Sequence, residues 1–175
     1  MRKFSGATVA TILAIALYFT LLWGLDGLRT LASPSYGLGD VWRSQHIFVI
    51  GSFFGLSPLG LIKLSAFFGA VKLSVAGFCA WHVIDRLRSL IGGQADSEVL
   101  EGALILVVLI SILSVGPAVW SQNAALVREQ TVHLVLAALA TALCIVERSY
   151  ARDDAPAEAA AASAGSSFPG PALHP

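Results

Sequence analysis

Residues 59–84, LGLIKLSAFFGAVKLSVAGFCAWHVI, form a long apolar stretch broken by two lysines, Lys63 and Lys72. A helix rises about 1.5 Å per residue, so a run of this length crosses a hydrocarbon core of about 30 Å. Backbone groups in lipid must hydrogen-bond within their own segment, which makes the stretch a transmembrane helix. Three further runs meet the same requirement: 7–24, 99–119 and 127–147. The chain as a whole agrees. Its 175 residues are 56% hydrophobic and only 13% charged, against about a quarter charged in soluble domains, and its mean hydropathy is +0.76. The expected fold is all-α: a polytopic integral membrane protein of four transmembrane helices plus a short outer interfacial helix.

The linker between the first two spans supplies the interfacial helix. Ser33-Pro34 and Gly37/Gly39 mark a turn, Asp40 is suited to cap a helix, and Trp42, His46, Val49, Ile50 and Phe53 recur at three- and four-residue spacing. The segment 41–55 is too short to span and reads as a helix in the outer interface, with Trp42, Arg43, His46 and Phe53 at the headgroup boundary. Ser57-Pro58 provides an N-cap and a first-turn proline that restart the chain as the second span.

The first run, 7–24, is longer than a signal-peptide core. Asp26 and Arg29 separate it from the small residues around Thr30-Leu31-Ala32, so it reads as a retained anchor rather than a cleaved leader. With the N-terminus inside, Arg2, Lys3, Arg86, Arg88, Arg148 and Arg152 fall on the cytoplasmic side, and Arg29, Arg43 and Arg128 outside. The positive-inside rule therefore predicts a cell-membrane protein with both termini cytoplasmic. Residues 1–148 form the membrane domain. The Ala/Ser/Pro/Gly-rich tail, 149–175, reads as disordered and cytoplasmic.

Lys63, close to the outer edge of its span, can snorkel to the headgroups or meet Glu129 at a similar depth. Lys72 is about 20 Å below that edge. There an unpaired charge is costly and marks function. Asp26, Asp85 and Glu147 fall at span boundaries, and Glu101 lies roughly 15 Å from the level of Lys72. Lys72 is therefore expected to have no carboxylate partner within the chain. It would pair with a second molecule, face a water-filled path, sit neutral through desolvation, or bond carbonyls and hydroxyls such as Ser111 and Ser114.

Histidine positions bound any metal chemistry. His82 and His133 lie near opposite edges and cannot share an ion, whereas His46, Glu129 and His133 make a weak candidate set. His82, Glu101, Cys79 and Cys144 fall together at the inner side, where helix–helix hydrogen bonding is the expected use. Cys79 and Cys144 lack the spacing of a redox pair or zinc knuckle. No cofactor is expected. There is no phosphate loop, HExxH helix, GxSxG elbow or EF-hand loop, and acidic and basic residues balance at 11 each, which argues against nucleic acid as a partner.

Small residues recur four apart at Gly6/Ala10/Ala14, Ser65/Gly69, Ala66/Ala70, Ala76/Ala80 and Ala137/Thr141, a pattern that lets membrane helices approach closely. Together with an unpaired Lys72, these faces predict a non-catalytic accessory or assembly subunit of a larger membrane complex. Its partners would be lipids and either other integral membrane proteins or copies of itself. The alternative is a small oligomeric transporter or channel using Lys72, with Lys63 and Glu129 near its outer mouth. A haem-binding redox subunit is a remote third.

Overall fold

A computed structural model describes residues 6–41, 44–89 and 98–165, the last segment as backbone alone beyond 149. The described chain is helical, with no strand: α1 (Gly6–Ala32), α2 (Gln45–Phe53), α3 (Pro58–Ser89), α4 (Glu98–Trp120) and α5 (Ala124–Gly165). α1, α3, α4 and the Ala124–Ser149 portion of α5 are each long and apolar enough to cross a membrane. Only 28% of the most apolar window is buried in α1, α3 and α5, and 39% in α4. Leu21, Leu25, Phe67, Leu109, Ile112 and Val135 remain at least half exposed. Apolar surface on this scale requires lipid rather than water around it, and the chain is a multi-pass membrane protein.

α1 packs most extensively on α3, and α4 on α5, while lighter contacts join α3 to α4 and α1 to α5. Round the bundle the order is therefore α1, α3, α4, α5, with α3 and α5 on a diagonal. The core runs through the centre as Phe19, Trp23, Phe68, Val75, Cys79, Leu104, Val107, Ala137 and Cys144. α1 and α3 are antiparallel and cross where neither carries a side chain. A Cβ on Gly27 would lie 2.9 Å from the Gly69 carbonyl oxygen, and one on Gly69 would lie 2.9 Å from the Thr30 methyl.

Local signals account for most of the helix ends. Ser57 Oγ accepts a hydrogen bond from the Gly60 amide at 3.3 Å at the start of α3, as the Ser57-Pro58 pair predicts. Asn123 Oδ1 caps α5 through the Leu126 amide at 3.1 Å. Just past the C-cap of α2 at Phe54, Gly55 with φ of +63° allows the Leu56 amide to bond back to the Gly51 carbonyl at 2.8 Å.

Three expectations are corrected. α1 continues past Gly24 to Ala32, so Asp26 and Arg29 lie on a membrane-length helix rather than in a loop. α2 begins at Gln45, not residue 41: its N-cap position is held by Ser44, whose hydroxyl donates back to the Asp40 carbonyl at 2.8 Å. One face of α2 is also packed into the protein, with Ile47 and Ile50 buried. Finally, α5 runs on to Gly165 where no regular structure is expected, in keeping with the helix propensity of its alanines. Trp42 and Arg43 lie outside the described residues, as do 166–175.

Candidate functional site: a polar cleft at the α2 end of the bundle

Lys72, on α3, donates a hydrogen bond to Asp26 Oδ2 of α1 at 2.7 Å. The expectation that Lys72 lacks an intrachain carboxylate is therefore overturned. The physical reason is the length of α1. Once its helix extends eight residues beyond Gly24, about 12 Å at the helical rise, Asp26 is alongside the body of α3 instead of at the boundary. The Gly27/Gly69 crossing then brings the two backbones close enough for the short Asp side chain to reach. Side-chain exposure is 15% for Lys72 and 31% for Asp26, so the pair borders space rather than being sealed in the core.

That space is a cleft in two chambers at the α2 end of the bundle. One, about 240 Å³, lies beneath the 33–40 turns and includes Thr30, Tyr36, Asp40, Ser44 and Ser65 in its wall. The other, about 270 Å³, reaches between the α1/α3 and α4/α5 pairs to Trp23, Ser114, Glu129, Gln130 and His133. Asp26, Arg29, His46, Phe68 and Lys72 line both. The ion pair, together with the His46 ring on Phe68 (centroids 5.6 Å apart), forms the partition between them.

The polar groups of the wall divide into satisfied and unsatisfied. Ser65 Oγ donates to the Tyr36 carbonyl at 2.6 Å, fixing the turn region over α3 where Tyr36 and Gly37 adopt φ of +50° and +77°. Ser114 Oγ donates to the Ile110 carbonyl at 2.8 Å and so is not the partner of Lys72. Gln130 and His133, one helical turn apart on α5, are 7% and 4% exposed. Gln130 Oε1 and His133 Nδ1 have no hydrogen-bond partner among the described residues. Aromatic rings pack round His133, with the Trp23 centroid at 5.5 Å and that of Phe19 at 6.0 Å. Buried polar atoms are ordinarily paired; Gln130 and His133 border the second chamber, whereas Ser111 Oγ, likewise without a partner among the described residues, borders neither chamber.

The other sequence candidates distribute differently. Glu129 lines the second chamber, but it does not pair with Lys63. Lys63 is exposed on α3, diagonally across the bundle from α5, and contributes to neither chamber. His46, Glu129 and His133 all line the second chamber, yet no three His, Cys, Asp or Glu side chains among the described residues are placed to hold a metal ion. Phe53 stacks edge-on with Trp120 at 6.0 Å, away from the cleft. Asp26, Arg29 and Gln130 were missed. The signal for the first two was present in Leu21, Leu25, Leu28 and Leu31, whose spacing continues the helix through the charges.

Two ion pairs lie at the opposite end of the bundle. Arg86 of α3 bonds Glu147 of α5 across the diagonal, and Arg148 pairs with Glu101 of α4 at 2.9 Å. His82, Cys79 and Cys144 are fully buried nearby in the core, both cysteines as free thiols. No family model, curated protein or solved structure matches the chain.

Proposed function

We propose that this is a small transporter of the cell membrane, with both termini cytoplasmic and the α2 end facing outward, that takes a small polar solute into the Asp26–Lys72 cleft. The observation that carries this reading is a polar cavity between the membrane-length helices, bordered by the Asp26–Lys72 ion pair, Arg29 and Glu129, with Gln130 and His133 on its α5 wall. Solvated space beside an ion pair within membrane helices is the usual setting of a substrate path. At the far end the Arg86–Glu147 and Arg148–Glu101 pairs tie helices together. The accessory-subunit reading that the sequence favours drew partly on an unpaired Lys72. With Asp26 opposite that ammonium, it keeps the aromatic segment 41–55 and the small-residue helix faces, one of which is already occupied by the α1/α3 crossing.

The test is efflux from proteoliposomes loaded with a small-molecule extract of the expression host, followed by mass spectrometry. A subset of polar solutes should leave vesicles containing the wild-type protein faster than empty vesicles, and His133→Phe should remove the difference. Identical efflux from wild-type and empty vesicles would overturn the proposal.

A further inference from the structure

The charge arithmetic of the cleft narrows what it takes. Apart from its histidines, the described residues lining the second chamber include two carboxylates, Asp26 and Glu129, and two cationic side chains, Arg29 and Lys72. Their formal charges cancel. A solute with a net charge would enter a low-dielectric space with nothing left over to balance it. A solute bearing both an ammonium and a carboxylate faces no such imbalance. Its ammonium replaces Lys72 at Asp26, its carboxylate replaces Asp26 at Lys72, and one ion pair becomes two with the total charge unchanged.

The remaining polar atoms suit the same molecule. Glu129 and Gln130 stand on the α5 wall of the second chamber, so an ammonium with three N–H donors can be shared between that wall and Asp26. Arg29 borders both chambers and offers a planar fork to a carboxylate. The aromatic rings around His133 give an apolar lining for a carbon skeleton. Because Asp26 and Lys72 form the partition, a solute inserted between them also joins the two chambers.

We infer that the cleft is a binding site for a small zwitterion of the amino acid class, with Asp26 holding the ammonium and Lys72 the carboxylate. This rests on the transporter reading of the same cleft and specifies its substrate.

The experiment is calorimetric titration of the full chain in lipid nanodiscs with the common L-amino acids and β-alanine. Any compound that binds is then compared with its decarboxylated amine and its deaminated acid. At least one zwitterion should bind, with amine and acid each at least tenfold weaker. Asp26→Asn, Lys72→Met and Gln130→Leu should each weaken binding tenfold or more, in protein whose helicity by circular dichroism matches wild type. The inference is overturned if no zwitterion binds, if amine or acid binds as tightly as its parent, or if Asp26→Asn and Lys72→Met bind like wild type. Efflux of some other solute from proteoliposomes alongside any of these results would leave transport standing and remove only the zwitterion. Absence of efflux together with tight zwitterion binding would do the reverse.

Discussion

Replacing Lys72 by Met removes one charge of a pair whose energy can be bounded from its geometry. At 2.7 Å and an effective dielectric constant of about 20, the Coulomb attraction is about 6 kcal/mol. Most of that is offset by desolvation. Removal of one partner costs about 3–5 kcal/mol when a pair is fully buried and about 0–1 kcal/mol when it is exposed. With exposures of 15% and 31%, Lys72 and Asp26 fall between these limits, and Lys72→Met should cost about 2 kcal/mol. Asp26→Asn should cost about the same, since it leaves the ammonium facing a neutral amide. The double variant Asp26→Asn/Lys72→Met leaves no orphaned charge and should recover most of the loss, giving a coupling of at least about 1 kcal/mol in a double-mutant cycle. The assay is SDS-driven unfolding in mixed micelles, read by circular dichroism and tryptophan fluorescence. Single losses that simply add in the double variant, with coupling below about 0.5 kcal/mol, would refute the view that these two side chains bind each other.

The helix crossing yields a paired comparison: Gly69→Val should cost about 1–3 kcal/mol by overpacking Thr30 and Leu31, whereas Gly77→Ala, with nothing within 4 Å of the new methyl, should be neutral or raise stability by up to about 1 kcal/mol. Both are read by the same SDS titration. At the end of the bundle opposite the cleft, Arg148 is 53% exposed, so Arg148→Ala should change stability by less than about 1 kcal/mol. Cys79 and Cys144, 0% and 1% exposed, should resist maleimide in nanodiscs and react fully in SDS, as followed by intact-protein mass spectrometry. Orientation is tested in a cysteine-free background, where an impermeant maleimide should label Ser121→Cys on intact cells and Ser149→Cys only after permeabilisation.

The number and order of the spans were legible because lipid imposes one demand on every span: enough consecutive apolar residues to cover its thickness. Ser57-Pro58 was legible for a similar reason, since a cap acts on its own first turn. The end of α1 was not. A hydropathy profile falls at Asp26 and Arg29, but a helix does not stop for charges that face a polar cleft, and the leucines at 21, 25, 28 and 31 kept its period. That single misplacement carried Asp26 away from Lys72 and created a partnerless lysine. Gly27 was lost with it, being read as part of a loop although it is where α3 makes its closest approach. Lys63 and Glu129 failed for a different cause. Matching depth says nothing about which helices are neighbours, and α3 and α5 are set on a diagonal. Gln130 carried no sequence signal at all, because a glutamine near a span end is ordinary until the cavity beside it is known.

The uneven helix contacts have a mechanical consequence. α1 with α3, and α4 with α5, make two stiff planks joined along a thinner seam. The second chamber is wedged into that seam at one end, and the Arg86–Glu147 strap crosses it at the other. On the transport reading, a rocking of the two pairs would turn about that strap, and α2, which packs on both α3 and α4, would be the element that yields at the chamber end.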